Sequence, residues 1–293
     1  MSDPTLWIAL GMVEHIGSRT LWALIRHFGD DPDAILAASA AQLQQVPGVG
    51  PKIARGIQAV DLRQVRRALA GWQAAGISIV TSIHPDELYP PRLLSTDDPP
   101  ATLFMRGAWQ PQFDRAVGIV GTRSPSAPAA QLTRELSARL AQAGFVVVSG
   151  LARGVDTLAH EGALSVEDGH TIAVLGSGVL NIYPQENHTL AMDIAGRGVI
   201  MSEVRPDAAP ASTRLVARNR IISGLSRALI VVETDIDGGA MHAARFAQRQ
   251  GRPVFTFDLK AGGNRALLAN GARKLEPDLK TLDFIGDALE KER

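Results

Sequence analysis

The sequence predicts an α/β protein: a doubly wound, mostly parallel sheet over about residues 114–277, preceded by a small all-helical domain. Three observations carry that expectation. Short apolar runs recur along 114–277, and helical patterns separate most of them, as in an alternating parallel sheet. Each run gives way to a polar or glycine-rich turn, as expected where ligand-facing loops leave the carboxyl ends of parallel strands. Residues 1–75 show helical spacing only, broken by glycine and proline.

The sheet region is organised around 117–156. Val117–Val120 reads as a buried strand, followed by the turn Gly121-Thr122-Arg123. Pro125 and Pro128 suit a helix entrance, where a missing N–H costs nothing. Leu132, Leu136 and Leu140 then recur at four-residue spacing, with Arg134, Glu135 and Arg139 off that stripe. Gly144 ends the helix and Phe145–Ser149 forms the next strand, running into Gly150–Gly154 with Arg153. A strand–helix–strand unit of this kind closes as a right-handed parallel crossover. Its two glycine-rich turns, each adding an arginine, then lie at the carboxyl edge, where free N–H groups and guanidinium groups make an anion site. The remaining predicted strands are Thr171–Leu175, Val199–Ser202, Leu229–Val232 and Val254–Phe257. They lead into Gly176-Ser177-Gly178, Glu203-Val204-Arg205 and, after Val232, Glu233 to Gly239.

Composition narrows the function. Lysine plus arginine equals aspartate plus glutamate at 30 each, so any polyanion site must come from local clustering. There is no cysteine, which excludes disulfides, thiol catalysis and cysteine-ligated metal. The N-terminus lacks the basic n-region of a signal peptide, and no stretch reaches membrane-spanning length. A cytoplasmic protein with no membrane association, no metal and no cofactor is the expectation.

In the helical region, Leu6, Ile8, Ala9 and Leu10 open one apolar face, and Leu21, Trp22, Leu24, Ile25 and Phe28 form another. Asp30 or Asp31 caps the helix after the turn 29–32. Val46-Pro47-Gly48-Val49-Gly50-Pro51-Lys52-Ile53-Ala54 resembles the hairpin of helix-hairpin-helix DNA-binding modules, with Gly48 and Gly50 for the tight turn and Pro51 at the first helical position. His15-Ile16-Gly17-Ser18-Arg19-Thr20 looks like a weaker copy. Two readings stand for the hairpin: it packs two helices, which is preferred, or Gly48, Gly50 and Lys52 make a second, base-independent DNA contact. Asp61–Ala75 is a further helix whose arginines 63, 66 and 67 are read as a solvated face. Residues 76–113 are an extension leading into the sheet, with strands at Ile77–Val80 and Leu103–Arg106 and proline-rich irregular chain between them. Residues 278–293 read as a terminal helix or the start of a linker.

Taken in order, the motifs resemble the DNA-processing protein A (DprA/Smf) family. Tyr89-Pro90 with Leu93, Asp98-Pro99-Pro100 and Leu103 match its signature before the sheet. Val120–Arg123 and Ser149–Asp156 with Ala159-His160 match its loop motifs. Thr171–Gly178, Tyr183-Pro184 with Asn187, Ser202-Glu203 and Arg218–Ser226 follow. The resemblance implies an extended Rossmann-like fold behind a SAM-like helical domain. It also implies a homodimer through the sheet domain, single-stranded DNA, RecA and single-stranded DNA-binding protein as partners, and no catalysis. The chain departs from the family pattern at Leu215 and Ser212, where an aromatic and a basic residue are usual; at Asp237-Gly238-Gly239-Ala240; and at Phe257-Asp258-Leu259. The winged helix that many members carry at the C-terminus is not expected within these residues.

On this reading the DNA and phosphate contacts are Gly121, Thr122, Arg123, Ser149, Gly150, Arg153, Gly154, Gly176, Arg214, Arg218, Asn219, Gly238 and Gly239. Arg123 pairs bidentately with a phosphate, or else salt-bridges a neighbouring acid. Arg153 does the same, with Asp156 or Glu203 as its alternative partner. Arg218 is assigned to DNA and Arg220 to a structural network, while Asn219 caps a helix or bonds a base. Asp156 and His160 have helical i, i+4 spacing but are read as a capping aspartate and a packed histidine. The four tryptophans are read as core. The enzymatic alternative is a nucleotide phosphoribohydrolase on the same sheet type. It needs a carboxylate where Arg245 stands, and so lacks its proton acceptor. A passive nucleotide-binding module is the remaining alternative.

Overall fold

The computed structural model describes residues 4–278. The terminal helix or linker expected over 278–293 falls, beyond its first residue, outside the described residues. The chain begins with α1 (Pro4–Gly11), α2 (Ser18–Phe28), α3 (Pro32–Ala37), α4 (Ala40–Leu43), α5 (Pro51–Gln58) and α6 (Leu62–Ala74). Trp7, Leu10, Leu21, Leu24, Ile35, Leu43 and Ile57 are buried together at their centre. Asp31 caps α3 through the N–H of Ala34, and Asp61 caps α6 through Arg63 and Gln64.

The two hairpins repeat one backbone solution. Gly48 has φ +87°, Val49 is buried, and Gly50 is the extended residue before α5. His15 has φ +69°, Ile16 is buried, and Gly17 is the extended residue before α2. The first copy places a non-glycine residue in the left-handed region, which explains its weaker sequence signal.

The sheet follows: β1 (Ile77–Thr81), α7 (Pro91–Leu94), β2 (Thr102–Gly107), β3 (Ala116–Val120), α8 (Ala127–Gln142), β4 (Val146–Ser149), α9 (Val155–Leu164) and β5 (Thr171–Val174). It continues with α10 (His188–Arg197), β6 (Val199–Ser202), α11 (Ser212–Ala217), α12 (Asn219–Leu225), β7 (Ala228–Val231), α13 (Gly239–Arg249), β8 (Val254–Phe257), α14 (Gly262–Ala269) and β9 (Arg273–Leu275). The nine strands lie in the order β1-β2-β6-β5-β4-β3-β7-β8-β9. Every pairing from β6 to β9 is parallel, and β2 runs antiparallel to both β1 and β6. This is the doubly wound, mostly parallel Rossmann-like sheet, with its strand order reversing between β3 and β7.

The pleat sorts the core. Val148 and Ile172 are register partners, and they share one face with Val120, Val174 and Val231 under α12 and α13. Val117, Ile119 and Val147 point the other way, against Leu132, Leu136 and Leu140 of α8. On that second face Phe104, Ala173 and Ile200 carry the edge that α6 and α10 cover. Two short elements differ from the sequence expectation. Arg273-Lys274-Leu275 shows no apolar run, because two of its three residues are exposed, and β9 is defined only by pairing with β8. Pro91–Leu94, expected to be irregular, makes a single helical turn with Pro91 at its first position.

Candidate nucleic-acid interface

The turns after β3, β4, β5 and β7 converge at the carboxyl edge of the sheet, at the reversal of strand order where open α/β sheets take ligands. Thr122 N–H donates to Glu233 O at 2.7 Å, and Val155 N–H donates to Thr122 O at 3.1 Å, so the first, second and last of these loops are tied to one another. A shallow pocket opens there, lined by Arg123, Gly150, Ala152, Arg153, Tyr183, Pro184 and Leu215.

Arg123 is exposed, and among the described residues no carboxylate or carbonyl engages its guanidinium. The salt-bridge alternative therefore finds no acid in place. Arg153 is also exposed but is paired: its Nη2 donates to Glu186 Oε2 at 3.1 Å and its Nε to Glu186 Oε1. Neither Asp156 nor Glu203 is its partner. The Arg153 guanidinium holds the Glu186 carboxyl below the usual carboxylate range.

Several predicted contacts are spent on the fold. Arg218 is buried: its Nη1 donates to Val174 O at 2.6 Å, its Nε to Leu215 O at 3.3 Å, and its Nη2 faces Asp156 Oδ2 at 3.5 Å. Its burial leaves no face for DNA, so its assignment as a DNA contact is corrected. Asn219 is buried and donates to Gly239 O at 3.3 Å, tying α12 to the α13 entrance rather than reaching a base. Ser149 is buried and donates to Ile119 O at 2.6 Å, locking β4 to β3. Asp156 does not cap α9; that position is Gly154. Burial pushes the Asp156 carboxyl up, opposed by Arg218 and the N–H of Ala152. His160 is fully buried against Thr171 at 2.7 Å, as its packed reading requires. Arg220 is a structural residue, with Glu203 Oε2 at 2.6 Å, Asp98 Oδ2 at 3.3 Å and Ser18 Oγ at 3.3 Å.

The glycines have packing reasons as well. A Cβ on Gly154, which has φ +75°, would fall 2.5 Å from Thr122 O, so this glycine lets two loops meet. A Cβ on Gly176 would meet the Leu215 backbone at 2.8 Å, and one on Gly121 would meet Val155 at 2.6 Å. Gly238 precedes α13 with Thr234 Oγ1 2.2 Å from its would-be Cβ, whereas Gly239 is open on that side.

Arg214 is exposed, donates to Ala209 O at 3.1 Å, and lines a different cleft from Arg123, one shared with Gly17, Ser18 and Arg19 of the first hairpin. That hairpin is docked: Ser18 Oγ accepts from Ala101 N–H at 3.2 Å as well as from Arg220. In the second hairpin Gly48, Gly50 and Lys52 are exposed, and Lys52 Nζ lies 3.3 Å from Glu14 Oε1 and 2.6 Å from His15 Nε2.

Sequence reasoning missed Glu186 and the placement of Glu233, and it named Tyr183 only within a family motif, not as a site residue. The Glu233 carboxylate accepts from Ser126 N–H at 2.7 Å and from Ser126 Oγ at 2.9 Å, occupying the start of α8 with the chain's own anion. The charge at the end of an apolar run was visible; its partner 107 residues away was not. Among the described residues no group of three or more histidine, aspartate or glutamate side chains is placed to hold a metal, and no helix is long and apolar enough to cross a membrane.

The family described as DNA recombination-mediator protein A matches residues 80–285. The chain belongs to this family. A SAM-like helix-hairpin-helix tandem matches residues 8–60, where the two hairpins lie. Protein Smf of Synechocystis is 36% identical over 296 residues, covering 97% of this chain and 73% of that protein. DNA processing protein A of Streptococcus pneumoniae superposes with a TM-score of 0.79 at 26% identity, over 94% of this chain and 95% of that one. DNA processing protein A of Helicobacter pylori superposes with a TM-score of 0.63 at 32% identity, over 73% of this chain and 96% of that one; its structure is described for the single-stranded DNA binding mode of that protein.

Proposed function

We propose that this member of the family is a non-catalytic, single-stranded DNA-binding recombination mediator. It protects incoming or exposed single strands and helps to load RecA, as in natural transformation, and it works as a homodimer through the Rossmann-like domain. The observation that supports this reading best is Arg123: an exposed guanidinium without a carboxylate partner among the described residues, at the strand-order reversal of a parallel sheet, beside a second arginine. A guanidinium in that setting takes a phosphate oxygen pair, and it does so without reading sequence. The Helicobacter relative, described for its binding of single-stranded DNA, adds to that support.

In this reading Arg123 and Arg153 hold phosphates, with the backbone of Gly121-Thr122 and Gly238-Gly239 beside them. Arg214 lies on a separate path, and the exposed Gly48, Gly50 and Lys52 are a candidate second contact on the helical domain beside the packing role preferred for that hairpin. Arg245, exposed on α13 where hydrolytic chemistry would need a carboxylate, speaks against the enzymatic alternative.

The test is fluorescence anisotropy of a labelled single-stranded oligonucleotide at two salt concentrations, with a duplex of equal length as competitor. Single-strand-preferring binding that weakens about tenfold in Arg123→Ala, about 1.4 kcal/mol, is expected. The slope of log affinity on log salt should flatten by about 0.7, because the variant neutralises one phosphate fewer. Binding unchanged in Arg123→Ala would move the DNA away from the sheet edge.

A further inference from the structure

Base stacking demands an aromatic face open to solvent, and this chain has few to offer. Trp7, Trp72, Trp109, Tyr89, Phe104, Phe113, Phe145, Phe255 and Phe257 are all buried, and Trp22, Phe28 and Phe246 are partly covered. Tyr183 is different. It is 42% exposed, and among the described residues no other phenylalanine, tyrosine or tryptophan is as open to solvent. No ring contact or cation–π pair among the described residues engages it.

Its position gives that exposure meaning. Tyr183 lines the pocket that holds Arg123 and Arg153, and Pro184 and Leu215 are its apolar neighbours there. The segment that carries it is fastened in place. Asn187 Nδ2 donates to Leu151 O at 2.9 Å and to Thr157 Oγ1 at 2.8 Å, so the Tyr183–Asn187 turn is pinned to the loop that bears Arg153. An aromatic ring held within one pocket of two guanidinium groups reproduces the two parts of a single-strand site, a flat surface for a base and cations for the phosphates on either side. Leu215, which also lines the pocket, is apolar but has no ring.

We infer that Tyr183, with Pro184 and Leu215, forms a nucleobase subsite at the sheet edge, in which the phenol ring stacks on a base whose flanking phosphates lie at Arg123 and Arg153. This rests on the single-strand reading of Arg123. Recognition is of the π-face, so the subsite accepts any base and confers no sequence preference through hydrogen bonds.

The experiment compares two fluorescein-labelled ligands of equal length, an oligothymidylate and the same sugar–phosphate chain without bases, on wild type, Tyr183→Ala, Tyr183→Phe and Arg123→Ala. Tyr183→Ala is expected to weaken oligothymidylate binding at least about five-fold and to leave the abasic chain unchanged, while Tyr183→Phe stays within about two-fold of wild type on both. Arg123→Ala is expected to weaken both ligands. If Tyr183→Ala leaves oligothymidylate binding intact, or weakens both ligands equally while Tyr183→Phe does the same, the base subsite is overturned and the phosphate reading of Arg123 survives. If Arg123→Ala changes neither ligand, the parent reading fails and the subsite fails with it.

Discussion

Gly150 and Arg218 occupy space that no side chain can share: a Cβ at position 150 would lie 1.4 Å from Arg218 Nη1. The guanidinium fills the volume above the glycine, bonds Val174 O and Leu215 O, and neutralises the buried Asp156 carboxylate. A glycine in a loop at a ligand-binding edge thus serves an internal cation. Alanine at 150 displaces the Arg218 guanidinium and leaves the buried Asp156 carboxylate without that cation. Gly150→Ala is therefore expected to cost about 3–5 kcal/mol, the range for breaking a buried ion pair. Arg218→Met should cost a similar amount, and the double variant no more than the larger single one, because both remove the same guanidinium. Urea unfolding of the three variants checks this; additive losses would contradict it.

Arg153 is held by Glu186, and both side chains are exposed. Two charges in water at contact interact weakly, so a phosphate can replace the carboxylate. Glu186→Gln removes the competing anion and is expected to tighten single-stranded DNA about three- to five-fold at low salt, the advantage shrinking as salt rises. Its melting temperature should stay that of wild type. Weaker binding in Glu186→Gln would mean that Glu186 positions Arg153 for DNA instead of competing for it.

Glu233 and Ser126 make a corresponding point about α8. The helix start is the natural place for an anion, and the chain supplies one from β7's end. Glu233→Ala is expected to cost about 1–2 kcal/mol, as for loss of a cap with a favourable dipole charge, without weakening DNA. Denaturation and anisotropy on the same variant separate the two effects. A clear loss of DNA affinity with unchanged stability would place the DNA at this helix after all.

These residues show what was legible in the sequence and what was not. The strands and α8 were readable because their apolar spacing is local: Leu132, Leu136 and Leu140 are buried as the four-residue stripe requires. The convergence of glycine-rich turns at one edge followed from parallel connectivity, and the strand pairing bears it out. Arg218 and Arg123 could not be told apart in the same way. Each is an arginine next to polar residues, and only the tertiary path buries one beside Asp156 and leaves the other in solvent. Glu186 lies 33 residues beyond Arg153, a separation over which no periodicity speaks. Edge strand β9 was silent because half-exposed, charged strands carry no apolar signal.

His160 offers a test of the buried network by pH. Thr171 Oγ1 donates its hydrogen to Val147 O at 2.6 Å, so the 2.7 Å contact between His160 Nδ1 and Thr171 Oγ1 makes Nδ1 the donor. Nε2 is then the unprotonated nitrogen, buried without a partner among the described residues. Protonating it would put a charge there with Arg218 nearby, and burial followed by that cation pushes the His160 pKa down to about 3. The folded value lies below the unfolded one of about 6.5, so the unfolded chain binds more protons between the two. Stability from this residue is complete above the unfolded pKa and is lost as pH falls toward the folded one. From pH 8 to pH 5 the loss is expected to be about 2 kcal/mol. His160→Gln cannot take up that proton in either state. The variant should be less stable than wild type at pH 8, with a pH dependence flatter by about the same 2 kcal/mol. Urea unfolding at the two pH values measures both terms; parallel pH profiles for variant and wild type would show that His160 is not held neutral by its burial.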